Sequence, residues 1–197
     1  MKNKTRKIAL VTALTAVTFT SHAGEQRTFE AKVTVKNAFE LEKQSDLLFG
    51  TIRAKADTAG SDTATLVIPA DTGKAASVTS TNISNAEISI LEAGAPAQFK
   101  ISGVVPFATL NITEPAETDI VLAGGNPNAA GFKMDSFTYY IETGALSKQD
   151  VAGNKIQVDD KGEALFNIGA TLKTTTGGTA NYLDGSYSGT FTIEVSY

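Results

Sequence analysis

The stretch Gly185–Tyr197, "GSYSGTFTIEVSY", places Tyr187, Gly189, Phe191, Ile193, Val195 and Tyr197 on one side of an extended chain. Ser186, Ser188, Thr190, Thr192, Glu194 and Ser196 fall on the other. A period of two, with small hydroxylated residues on the second face, is the pattern of a half-buried β-strand. A slip of one residue would turn the whole apolar side to water, so the register is specified. Backbone N–H and C=O groups need partners, and the stretch is therefore expected to be clasped between two neighbouring strands as a core element. Full burial of Phe191, Ile193 and Val195 would contribute about 1.5–3 kcal/mol each.

The same period runs through the rest of the chain. "TFEAKVTV" (28–35) sets Phe29, Ala31, Val33 and Val35 against Thr28, Glu30, Lys32 and Thr34. "SDLLFGTI" (45–52), "TATLVIPA" (63–70), "AEISILEA" (86–93), "AQFKISGVVP" (97–106) and "ATLNIT" (108–113) are short β-rich runs divided by Gly and Pro. "GGNPNAAG" (124–131) reads as a loop and "FKMDSFTYYIE" (132–142) as a strand with Tyr139 and Tyr140 on opposite faces. "DDKG" (159–162) between "KIQV" and "EALFNIGATL" reads as a hairpin turn. "ALSKQDVAG" (145–153) is the one stretch with room for a helical turn. About nine or ten strands and no sustained helical period predict an all-β, single antiparallel β-sandwich.

At the other end, Lys2, Lys4, Arg6 and Lys7 precede the apolar run "IALVTALTAVTF", and Ser21 and Ala23 supply small residues before "GEQ". Basic, apolar and small-residue segments in that order predict a secretory signal peptide over residues 1–23 and one domain over 24–197. The run is shorter than the ~20 residues of a spanning helix. The expected location is therefore exported: periplasm, cell surface or extracellular space, without membrane insertion once the signal is cleaved. Cleavage would remove four basic residues and the single histidine, His22, leaving 13 basic against 21 acidic residues, a net charge of −8. That balance argues against nucleic acid and against anionic membrane surfaces as partners.

With His22 gone and no cysteine anywhere in the chain, Ser-His-Asp and Cys-His nucleophilic systems and the usual zinc sites lack their residue types. No pair of carboxylates stands at a spacing that marks a glycosidase. "QDVAGNKIQVDDKGE" gathers Asp150, Asn154, Asp159, Asp160 and Glu163, all hard oxygen donors, but not at calcium-loop spacing. A hydrophilic hairpin tip is the simpler reading. The expectation is therefore no enzyme, no catalytic residues, no metal site and no cofactor.

The alternating first segment, "L-x-F-G" (Leu47, Phe49, Gly50) and the ending "Y-x-G-x-F-x-I-x-V-x-Y" together resemble an uncharacterised family of small secreted bacterial β-proteins, a domain of unknown function. The two ends resemble, more loosely, pilin subunits of the chaperone–usher route. That likeness implies an immunoglobulin-like, pilin-like sandwich. It also implies Phe29, Ala31, Val33 and Val35 as a donated strand, and Tyr187, Gly189, Phe191, Ile193, Val195 and Tyr197 as the assembly strand. Its implied partners are other copies of the chain or related subunits, and a periplasmic chaperone. The chain departs from pilins in having no cysteine pair and in placing its aromatic last rather than next to last.

Two functions follow as expectations. The first is a structural subunit of a surface fibre or extracellular matrix, assembling by β-strand addition. The second is a monomeric secreted binding module for polysaccharide or another surface ligand. The sequence leaves open whether the first segment is donated or kept in its own sheet.

Overall fold

The structure is a computed structural model and describes residues 27–34, 38–126, 129–177 and 180–197. The signal segment 1–23 and Val35 lie outside the described residues. The strands are β1 (Glu40–Ser45), β2 (Thr51–Lys55), β3 (Ala64–Ile68), β4 (Ser77–Ser80), β5 (Glu87–Glu92), β6 (Ala97–Ser102) and β7 (Thr109–Thr113). They continue with β8 (Thr118–Leu122), β9 (Phe132–Thr143), β10 (Gln149–Asp150), β11 (Lys155–Gln157), β12 (Ala164–Thr174), β13 (Tyr187–Ser188) and β14 (Glu194–Ser196). Four of these, β10, β11, β13 and β14, are two or three residues long, and the other ten match the count expected from the alternation. Among the described residues there is no helix, and 145–148 is a turn leading into β10.

The two longest strands make the centre. β12 pairs antiparallel with β9 along nearly its whole length, from Leu165↔Thr143 to Thr174↔Phe132. Its other edge is shared, with β6 taking Ala164–Ile168 and β3 taking Ala170–Lys173. Ala164, Phe166, Ile168, Ala170 and Leu172 point inward and are buried, as the alternation of "ALFNIGATLKT" requires. In β9 the inward set changes parity, from Phe132 and Met134 to Phe137, Tyr139 and Ile141. Ser136, at φ 52°, marks a bulge there, and the extra residue carries the apolar face across the parity change.

The large sheet runs β1-β6-β12-β9-β8-β13, with β3, β4 and β10 attached. Two smaller sheets, β11-β7-β14 and β2-β5, pack on it. Leu110, Ile112 and Ile156 from one and Ile88 from the other join Leu66, Ile101, Phe166 and Ile168 in one core. This is an all-β antiparallel sandwich with strongly curled sheets.

The curl has a local cause. β1 and β2 form one ladder against β6 and β5, from Glu40↔Ser102 through Leu48↔Ala95 to Lys55↔Glu87. Both chains leave the large sheet at Gly50 and Gly94. A Cβ on Gly50, at φ +82°, would lie 2.1 Å from the Glu92 carbonyl oxygen, and one on Gly94 would lie 2.1 Å from that of Leu48. "SDLLFGTI" is thus a corner between two strands, and the small residues let the backbones cross.

The 185–197 stretch differs from expectation. It pairs over β13 with β8 and over β14 with β7, and among the described residues each of these short strands has a neighbour on one side only. Between them the ladder lapses, because the facing strand is broken by Pro115, which has no N–H to donate. Tyr187, Phe191, Ile193 and Val195 are half-buried, while Gly189 and Tyr197 are exposed. The stretch is an edge that changes sheets, not a fully buried central strand.

Residues 27–34 are also unlike the expected strand. They form a separate unit from the domain that begins at Lys36. They belong to no strand, and all eight are exposed, with Phe29 and Val33 86% and 87% accessible.

Candidate functional site

β1, β2 and the residues flanking them carry Phe39, Leu41, Leu47, Phe49, Ile52 and Ala54, all touching the core yet none fully buried. On the other side Phe191, Ile193 and Val195 do the same. Leu66, Ile101, Phe166 and Ile168, by contrast, are sealed at 0–1% accessibility. Partly covered apolar residues thus line two edges, β1–β2 and the 191–195 segment, as well as Ala76, Ile90, Ala108, Val151, Tyr182 and Tyr187 elsewhere on the core.

These edges meet. Phe39, just before β1, and Tyr197, just after β14, touch edge to face with centroids 5.7 Å apart. Phe191 anchors the inner part of the segment against Phe137 of β9, at 5.2 Å. β14 makes its ladder with β7 through Glu194↔Thr113, Val195↔Ile112 and Ser196↔Asn111. Among the described residues no strand pairs with its second edge, nor with the second edge of β1 or of β2. The two edges, touching at Phe39 and Tyr197, form a seam lined by half-covered apolar residues, and among the described residues the strands on its rims pair on one side only.

Residues 27–34, taken alone, have the complementary character. Phe29, Ala31 and Val33 alternate with Glu30 and Lys32, whose side chains pair at 3.2 Å on the opposite side. An i, i+2 contact of this kind is what an extended backbone produces. Being exposed, the ion pair adds little stability.

The oxygen-rich hairpin has other employment. Asp159 accepts the backbone N–H groups of Lys161 and Glu163, both at 2.9 Å, and these bonds hold its carboxyl below the usual carboxylate range. Asp150 pairs with Lys74 at 3.4 Å and Glu163 with Lys100 at 3.3 Å. Among the described residues no three His, Cys, Asp or Glu side chains are grouped to hold a metal ion. Asp57, buried, is likewise a loop cap: its carboxylate accepts N–H bonds from Asp62, Ala59 and Gly60, and its pKa is lowered by them.

One polar cluster has a chemical look. Asn167, buried in β12, donates to Glu142 at 2.8 Å and accepts from Gln98 at 3.1 Å, and Lys148 also pairs with Glu142. The Lys148 side chain is 67% exposed, and its bond to Glu142 raises its pKa, so the amine stays charged and is no nucleophile. Thr72 reaches the same carboxylate at 3.4 Å, and the cluster thereby ties the 69–76 loop to the sheet. Tyr139 is different again. Its hydroxyl is buried with no hydrogen-bond partner among the described residues, and burial, with a smaller contribution from the Glu114 charge, pushes its pKa to about 12.

Of the residues singled out by sequence, the structure brings Phe191, Ile193, Val195 and Tyr197 to the seam and leaves Gly189 outside any ladder. Tyr187 packs elsewhere, edge to face on Phe132 at 5.4 Å. Sequence reading missed the opposite rim. Its signal was present in "AFELE" (38–42), where Phe39 and Leu41 alternate with Glu40 and Glu42.

The chain belongs to the family "Domain of unknown function (DUF4402)", whose model matches residues 39–197. The match begins at Phe39, on the rim of the seam, and omits residues 27–34. No curated protein and no solved structure matches the chain.

Proposed function

We propose that this is an exported bacterial structural protein, a subunit of a surface fibre or extracellular matrix, assembled by β-strand addition. The reading is carried by one observation: among the described residues β14 is paired on a single edge, beside half-covered apolar side chains. An added strand would pair that edge and cover Phe191, Ile193 and Val195. Residues 28–35 of a second copy supply the required period, with Phe29, Ala31, Val33 and Val35 on one face.

The magnitudes are adequate. Burying Phe29 and Val33 gives about 1.5–3 kcal/mol each. Each new ladder hydrogen bond adds ~0.5–1.5 kcal/mol net. These gains must exceed an association cost of at least ~4 kcal/mol, which a strand of this length does with several bonds. Because donor and acceptor surfaces differ, the contact is head-to-tail and propagates into an open filament. The basic–apolar–small sequence of residues 1–23 supports export, where such a filament would serve, and no catalytic role is assigned.

The test is a denaturing gel of surface-extracted protein loaded with and without boiling. A ladder that collapses to one band on heating supports strand exchange. A single band in both lanes contradicts it.

The second reading is a monomeric binding module for polysaccharide or another surface ligand. A pocket of about 370 Å³ lined by Val121, Leu122, Gly125, Asn126 and Ala129–Gly131 favours it. Glycan binding by a monomer, lost when Leu122 is replaced by Asp, would support that alternative.

A further inference from the structure

We infer that the apolar tip of the β6–β7 loop, Val105–Pro106–Phe107, is the surface on which an accepting copy of this chain seats during assembly. The inference rests on the strand-addition reading above and adds to it a second contact between subunits.

The tip is exposed and apolar. Val105 is 52% and Phe107 57% accessible, with exposed Pro106 between them. It is also rigid. The Phe107 N–H donates to the Asp159 carbonyl at 3.0 Å, and Gln157 Nε2 donates to the Phe107 carbonyl at 3.0 Å. The Ala108 N–H closes the turn on Val105 at 3.0 Å, and the Val104 N–H reaches Gly162 at 3.3 Å.

Phe107 holds φ at +58°, in the left-handed region, where a bulky side chain is disfavoured. Such strain persists where the surroundings impose it and is concentrated at working surfaces. An aromatic that is more than half exposed recovers little of that cost by burial within its own subunit. A neighbour that covered it would.

Chain length identifies the neighbour. With Val35 in the seam of an acceptor, only Lys36, Asn37 and Ala38 separate it from Phe39. Four Cα steps reach at most about 15 Å. That span cannot hold two sandwiches apart, so the surface around Phe39 of the donor abuts the acceptor. The tip belongs to that surface: it springs from Gly103, where an added Cβ would lie 3.9 Å from the Phe39 Cα. Tyr197, on Phe39, lies at the same end.

The experiment compares surface-extracted wild type, Phe107→Gly and a chain lacking residues 28–35 on unheated denaturing gels, with melting curves of the heat-dissociated, refolded monomers. Glycine accepts φ +58°, so Phe107→Gly should melt at or above the wild-type temperature while its mean polymer length falls at least tenfold. Val105→Ser, which leaves the turn intact, should move the ladder in the same direction. Should both variants give the wild-type ladder while the truncated chain runs as one band, strand addition stands and the tip is overturned as an assembly surface, as a glycan- or membrane-facing tip would require. If wild type itself runs as a single unheated band, the strand-addition reading fails and the inference falls with it.

Discussion

Phe39 and Tyr197 lie 158 positions apart in sequence, yet their rings meet edge to face at 5.7 Å with planes 78° apart. One ring precedes the first strand of the large sheet and the other follows the last strand of a small one. Their contact therefore joins, at one end of the seam, two sheet edges that no strand pairs among the described residues. Edge-to-face pairs contribute about 0.5–1.5 kcal/mol beyond their buried area. A double-mutant cycle of Phe39→Leu and Tyr197→Leu in urea unfolding should give a coupling energy in that range; additive effects would mean the rings merely lie near each other.

The corner at Gly50 and Gly94 should be intolerant of any side chain. Gly50→Ala introduces a methyl where the Glu92 carbonyl stands 2.1 Å away, at a φ that disfavours alanine. The cost expected is more than about 2 kcal/mol. A urea midpoint equal to wild type would show that the ladder does not cross there.

Tyr139 sets an alkaline limit. Its hydroxyl is buried and unpartnered, so Tyr139→Phe, which keeps the ring, should raise stability by about 1–3 kcal/mol. Its pKa is about 12 in the fold against 10.0 as the ordinary value, and Tyr182, also raised to about 12, is shifted mainly by burial. Each raised pKa makes the unfolded chain release its proton first. Neither hydroxyl makes stability depend on pH below pH 10, and stability falls as pH rises from 10 towards 12. Melting temperatures measured from pH 8 to 11.5 should fall steeply above pH 10 in wild type and less steeply in Tyr139→Phe. Parallel curves would contradict the assignment.

Val33→Asp separates assembly from folding. Val33 is 87% exposed and belongs to no strand, so the monomer's stability should change by no more than about 0.5 kcal/mol. A charge driven onto the apolar floor of an acceptor would remove the heat-sensitive ladder. An unchanged ladder would exclude residues 28–35 as the donated segment.

Much of the fold was legible in the sequence, because wherever one face is sealed the alternation is strict: Phe166, Ile168, Ala170 and Leu172 of β12 were readable as a buried row. Even the parity change in β9, between Met134 and Phe137, is written in "FKMDSFTYYIE", although only the bulge at Ser136 explains it. The terminal stretch misled for a physical reason. Alternation reports which face a side chain takes, not how many neighbours the backbone has, so an edge strand and a central strand read alike. Residues 28–34 of "TFEAKVTV" carry the same alternation, and among the described residues they belong to no strand. The seam was half visible, through 191–197. Its other rim was signalled by Phe39 and Leu41 alternating with Glu40 and Glu42, but its continuation into β2 depends on a corner at Gly50 and Gly94, a long-range crossing that no local pattern encodes.

Hydrogen–deuterium exchange at the amides of residues 28–34 tests the central claim most directly, comparing surface-extracted assemblies with monomers dissociated by heating and refolded at low concentration. Strong protection of these amides, together with those of β14, is expected in the assembly, and exchange of 28–34 at the open-chain rate in the monomer. Equal exchange of 28–34 in both states would mean that the segment is not donated, and the seam would need another occupant.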